Sequence, residues 1–66
     1  MRLIVNEQSI ETTERLCVSE LLALLSYQPE SVAVAVNGQF VARRDWDKLR
    51  LEPADELDVV VPMQGG

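Results

Sequence analysis

Apolar and polar positions change period several times along this chain, and each change marks an element. Arg2 to Val5 alternates loosely and is β-rich, with Leu3 and Val5 on one face and Ile4 on the other. Asn6-Glu7-Gln8 reads as a turn. Ser9 to Thr13, with β-branched Ile10, Thr12 and Thr13, reads as the returning strand of a hairpin. The period then becomes helical: Val18, Leu21, Leu22 and Leu25 fall at i, i+3, i+4 and i+7 and make one apolar stripe. Glu20 lies in the first turn, where it suits the positive end of the helix dipole. Cys17 stands where a Ser or Thr cap is usual, and its thiol is a weak acceptor, so either the cap is poor or Ser19 shares the role. Pro29 disfavours helical geometry at Gln28, so the helix is expected to fray by Tyr27.

Alternation returns at Val32-Ala33-Val34-Ala35-Val36, followed by Asn37-Gly38, a strong hairpin signal, and a brief partner strand from Gln39 to Ala42. Arg43 to Leu49 fits an irregular or 3-10 turn, with Trp46 and Leu49 three apart and able to close the edge of the core. Pro53-Ala54-Asp55 is a turn, and Leu57 to Val61 the last strand, with Leu57, Val59 and Val61 inward and Asp58 and Val60 outward. The order of elements predicts an α+β domain: one mixed sheet with one helix across one face. The near-continuous apolar character of the first and last strands makes them central neighbours. The body thus spans residues 1–61. Residues 62–66 form a flexible tail that could reach roughly 16 Å at about 3.3 Å per residue.

With 66 residues there is room for one domain, whose core contributes only about 3–5 kcal/mol of net stability. Cys17 is the lone cysteine and there is no histidine, so neither an intramolecular disulfide nor a structural zinc site is available. Packing must hold the fold, and an apolar fraction of 47% is enough to attempt it. A lone reduced Cys without a secretory signal points to the cytoplasm, and the apolar run at the start is too short for a membrane span. The formal net charge of −5 repels phosphate backbones and favours a basic protein surface as partner, rather than nucleic acid or an anionic membrane.

Catalytic chemistry is sparse. The commonest general acid/base residue is missing, no phosphate-binding glycine loop or nucleophile–base pair occurs, and the eleven carboxylates are scattered. Arg43, Arg44, Lys48 and Arg50 cluster around Trp46, but interleaved Asp45 and Asp47 make this a solvated face or docking rim. Cys17 is read as a packing residue, because free cysteines are among the most buried residue types. Ile4, Phe40 and Val60 are candidates for a docking patch on the sheet face away from the helix.

The informative chemistry is Gly65-Gly66. Two glycines without Cβ atoms make a narrow peptide ending in a carboxylate, able to enter a slot closed to any side chain. Met63, Gln64, Gly65 and Gly66 are therefore expected to enter partner active sites, with the Gly66 carboxylate as the reacting group.

Val36-Asn37-Gly38, Val41-Ala42-Arg43, Asp45-Trp46, Leu51, Ala54-Asp55 and Gly65-Gly66, in this order and spacing, resemble the ThiS family of sulfur carriers in thiamine biosynthesis. The resemblance covers essentially the whole chain and implies a ubiquitin-like β-grasp fold. It further implies that an E1-like, ThiF-type activating enzyme adenylates the Gly66 carboxylate with ATP and magnesium. Sulfur from a cysteine desulfurase persulfide would then yield a thiocarboxylate, which a ThiG-type thiazole synthase consumes. The chain itself would be a protein co-substrate, binding no cofactor or metal. Three positions depart from the family pattern: Ala42 for Pro, Ala54 for Gly, and Cys17 for Thr or Ser. Ala54 implies a turn that avoids positive φ, of type I with Pro53 at its second position. The alternatives are a molybdopterin synthase small subunit, usually a longer chain, a protein modifier joined to lysines, or a pure binding module.

Overall fold

The computed structural model describes residues 1–61, and the expected tail 62–66 lies outside the described residues. Five strands form one sheet: β1 (Arg2–Val5), β2 (Gln8–Glu11), β3 (Ala33–Val36), β4 (Gln39–Val41) and β5 (Glu56–Val60). Their spatial order is β2-β1-β5-β3-β4, so the first and last strands are neighbours and β5 occupies the middle. β1 and β5 run parallel, and every other pairing is antiparallel. This is the mixed sheet with one helix that the sequence pattern predicts.

Both hairpins turn tightly because their central residues adopt positive φ: Asn6 (49°) and Glu7 (69°) in the first, Asn37 (51°) and Gly38 (83°) in the second. Positive φ at both positions is the type I′ arrangement, whose twist matches that of the flanking strands. The first turn is one residue shorter than the sequence suggests. Gln8 already pairs with Val5, and β2 ends at Glu11 rather than Thr13.

Helix α1 (Val18–Leu24) lays Val18, Leu21 and Leu22 on the sheet, where they are fully buried. Its start is better capped than Cys17 alone would allow, because a Glu20 carboxylate oxygen accepts the Cys17 backbone N–H at 3.0 Å. Ser19 is engaged elsewhere, with the Cys17 sulfur and the Asp47 carboxylate. The helix also stops before Pro29 can act on it. Ser26 takes φ 65°, its N–H reaches the Ala23 carbonyl, and the Tyr27 N–H reaches the Leu22 carbonyl. That pair of bonds is a Schellman closure with serine in the left-handed position. A 3-10 turn at Pro29–Ser31 then leads into β3.

The core joins these helix residues to Leu3, Val5, Val34, Leu57 and Val59 from the sheet. Leu51 and Trp46 close its edge, with the Trp46 indole N–H donating to the Val41 carbonyl at 3.0 Å. The 3-10 turn at Arg43–Asp45 that delivers Trp46 agrees with the sequence reading.

Two expectations are corrected. Val61 is 60% exposed rather than inward, because β5 ends at Val60, opposite Ala33, and no partner strand extends beyond it. Ala54 has φ 71°, not the negative value of a type I turn. The Asp55 N–H bonds the Glu52 carbonyl at 3.1 Å around Pro53-Ala54, the pattern of a type II turn that ordinarily takes glycine at its third position.

Candidate functional site

The tail residues Met63, Gln64, Gly65 and Gly66 lie outside the described residues, so the site is built from what precedes them. β5 carries the chain to Val61 and is held on both sides. Antiparallel pairing to β3 runs from Leu57 opposite Val36 to Val60 opposite Ala33. Pairing to β1 covers Glu56 and Leu57 only, extended by backbone bonds from Ile4 to the Asp55 carbonyl (3.0 Å) and from Asn6 to the Leu57 carbonyl (2.9 Å). Two asparagine side chains add to this. The Asn37 carbonyl oxygen accepts the Glu56 N–H at 3.0 Å, and the Asn6 amide bonds both backbone groups of Val59. Asparagine at these turns is legible from its tolerance of positive φ, whereas the reach of its side chain to a strand distant in sequence is not.

Strand alternation and register define the face turned away from α1. Residues directly opposite one another share a face, as do residues two apart. The rows Ile4–Glu56, Phe40–Ala35–Asp58 and Ala33–Val60 therefore lie on the outer face. All three candidate docking residues are on it. Phe40 (73% exposed) and Val60 (55%) fall at the β3–β4 side with Ala33 and Ala35 between them. Ile4 is half-buried and sits across the sheet, beyond the carboxylates of Glu56 and Asp58. The face is thus an apolar patch at one end, an acidic strip along β5, and an isolated isoleucine. Aromatic residues, phenylalanine among them, are enriched in the cores of protein interfaces.

The remaining candidates are occupied structurally. Cys17 is buried, with its sulfur 3.2 Å from the Ser19 hydroxyl oxygen. The basic cluster is dispersed: Arg43 lies over the Trp46 ring (5.9 Å to its centroid) and donates to the Pro29 carbonyl. Arg50 turns the other way, to the Arg15 carbonyl at 3.3 Å and the Glu20 carboxylate at 3.7 Å. The hydrogen bond from the Cys17 backbone N–H, reinforced by the Cys17 side chain and Arg50, holds the Glu20 carboxyl below its ordinary 4.5. A concavity of about 800 Å³ opens between β4 and the loop bearing Asp45, Lys48, Arg50 and Glu52. Among the described residues no three potential metal ligands come together, and no helix is long and apolar enough to cross a membrane.

Comparison with known proteins agrees with this architecture. The model of the ThiS family matches residues 1–66. The crystal structure of a thiamine biosynthesis protein (ThiS) from Geobacter metallireducens is 33% identical, with a TM-score of 0.88 and complete coverage of both chains. The solution NMR structure of a thiamine biosynthesis protein from Geobacter metallireducens is 33% identical, with a TM-score of 0.81, and covers all of this chain and 88% of the other. No curated protein matches the chain.

Proposed function

The chain belongs to the ThiS family, and from that premise we propose that it carries sulfur for thiazole formation on the carboxylate of Gly66. The observation that carries this reading is the family match running through the Gly65-Gly66 dipeptide, supported by whole-chain likeness to a 33%-identical ThiS structure.

A carboxylate is a poor electrophile. In the proposed cycle its oxygen attacks the α-phosphorus of ATP on an E1-like activating enzyme, which supplies the magnesium, and pyrophosphate leaves. AMP is then a good leaving group. The terminal sulfur of a persulfide, charged by a cysteine desulfurase, attacks the acyl carbon and expels AMP. A second thiol attacks the sulfur of the persulfide carrier, releasing the thiocarboxylate and leaving a disulfide. The thiocarboxylate is a soft nucleophile kept on a protein rather than lost as free sulfide, and thiazole synthase would consume it. Nothing in this cycle asks the chain for an acid, base or cofactor of its own.

The body supplies recognition. The apolar patch around Phe40 and Val60 suits a partner with an apolar pocket, and Glu56 and Asp58 favour basic residues at that pocket's rim. The test is intact-mass analysis of protein from cells making thiamine. A fraction should carry one oxygen replaced by sulfur, and deletion of Gly66 should remove that fraction. Sulfur loading that persists without Gly66 would refute the proposal.

A further inference from the structure

β5 is held unevenly towards the end from which the tail departs. On its β3 side, strand pairing continues to Val60. On its β1 side, strand pairing ends at Val5 opposite Leu57, because the chain turns away at Asn6 with φ 49°. A continued parallel ladder would present the Asn6 peptide carbonyl to Val59. Instead the Asn6 side chain fills that place. Its amide oxygen accepts the Val59 N–H at 2.8 Å, and its amide nitrogen donates to the Val59 carbonyl at 3.2 Å. The same nitrogen lies 3.4 Å from the Tyr27 hydroxyl, which ties the arrangement to the closure of α1. One side-chain amide thus replaces a peptide unit of the missing strand, two residues before Val61.

We propose that Asn6 is a positioning residue of the carrier: its amide fixes the end of β5 and so the line along which the following residues are presented to the activating enzyme. This rests on the sulfur-carrier reading above. A chain whose last strand residues are fixed before docking loses less freedom on docking, so the effect belongs in binding rather than in chemistry.

The molecule contains its own control. Asn37 stands at the other hairpin with nearly the same φ (51°) and holds the opposite end of β5, accepting the Glu56 N–H at 3.0 Å and donating to the Asp55 carboxylate at 3.0 Å. Glycine adopts positive φ freely, so Asn6→Gly and Asn37→Gly each keep the turn and delete only the side-chain bonds.

Both variants of the full chain are compared with the unaltered chain at a temperature where urea titration shows all three folded. Amide exchange by NMR should be at least about fivefold faster at Val59 in Asn6→Gly, the equivalent of one lost hydrogen bond of about 1 kcal/mol, and unchanged there in Asn37→Gly. In ATP–pyrophosphate exchange with the activating enzyme, Asn6→Gly should raise KM for the carrier about five- to tenfold with kcat within about twofold, while Asn37→Gly leaves both unchanged. Asn6→Asp keeps the turn and the acceptor for Val59 N–H but loses the donor, so it should fall between, and it serves if the glycine variant does not fold. Equal KM values for the Asn6 and Asn37 variants overturn the proposal, as does a Val59 amide that exchanges no faster in Asn6→Gly. If the unaltered chain supports no pyrophosphate exchange, the carrier reading itself fails. The Val59 measurement then still decides whether Asn6 fixes the end of β5.

Discussion

Replacing Ala54 with glycine removes one exposed methyl group and is expected to stabilise the fold. Ala54 has φ 71° and occupies the third position of the Glu52–Asp55 turn. An L-residue in that region costs about 1–2 kcal/mol, because Cβ crowds the neighbouring carbonyl oxygen. Glycine escapes the crowding but adds freedom to the unfolded chain, which costs about 0.4–1 kcal/mol. The difference centres near 0.8 kcal/mol in favour of glycine, a visible share of the about 3–5 kcal/mol available to a domain this small. Nothing else should change. The N–H of residue 54 still donates to the Arg2 carbonyl (2.7 Å), the Asp55 carbonyl still accepts from Ile4 (3.0 Å), and the Asp55 side chain still accepts the Glu52 N–H (2.8 Å). Calorimetry should show Tm raised by about 3–6 °C, taking about 4–8 °C per kcal/mol for this size. A urea titration should move its midpoint with unchanged slope. A type I turn would place residue 54 at negative φ, and glycine would then destabilise by about 0.5–1 kcal/mol. The sign of the shift decides: an Ala54→Gly variant less stable than its parent refutes the positive φ and the strain argument with it.

Three further outcomes follow from the same geometry. The folded-state pKa of Glu20 is depressed, chiefly by the Cys17 backbone N–H. Its contribution is therefore present above the ordinary value of 4.5 and lost as pH falls through the folded value, while the unfolded chain takes up the proton first. Glu20→Gln keeps an acceptor for that N–H without titrating, so its stability should fall less than the parent's between neutral pH and pH about 3; parallel curves would refute the assignment. Leu22 is fully buried against the sheet, and Leu22→Ala should cost about 2–5 kcal/mol. Against the small total this leaves much of the protein unfolded at room temperature, readable by circular dichroism. Phe40→Ala removes a side chain that is 73% exposed and should alter stability by less than about 1 kcal/mol while weakening affinity for the activating enzyme about tenfold, measured by titration calorimetry. Undiminished affinity would remove the outer face from the docking proposal.

Much of this fold is legible in one sequence because local patterns and global packing agree. The period-2 run at Val32–Val36, the Asn37-Gly38 turn and the helical stripe of Val18, Leu21 and Leu22 each stand where the structure has them. The face shared by Ile4, Phe40 and Val60 is legible too, since alternation assigns faces without coordinates. What escapes is decided by long-range pairing or by rare backbone states. Val61 alternates correctly yet is exposed, because inwardness depends on a partner strand that ends at Ala33. Ser26 stops the helix in a left-handed conformation that residue type does not announce, ahead of the proline that does. Ala54 misleads for the same reason: alanine argues against positive φ, and the hydrogen bonds around the turn impose it. The separation of Ile4 from Phe40 by Glu56 and Asp58 follows from the β1–β5 register, which no local window contains.

The division of labour proposed between body and tail has an energetic reason. Immobilising a peptide backbone in a slot costs about 1–2 kcal/mol per residue. Glycine offers no side-chain contact to offset that cost, and this is the condition for passing through a narrow opening. Affinity must come from surface that is not in the slot, and only an ordered surface can supply it cheaply. The central strand meets both needs. Its outward residues Val60 and Asp58 belong to the outer face, and its backbone, paired to β3 as far as Val60 and held by the Asn6 side chain at Val59, leads directly to residue 61. Any motion between docking face and exit point would detach binding from delivery, so the strand that joins them is expected to be the last part of the sheet to open. Amide exchange should accordingly approach the global unfolding limit at Leu57, in the interior of β5, while the edge strand β4 exchanges sooner. A β5 that opens before β4 would mean that binding at the face cannot fix the position of the carboxylate.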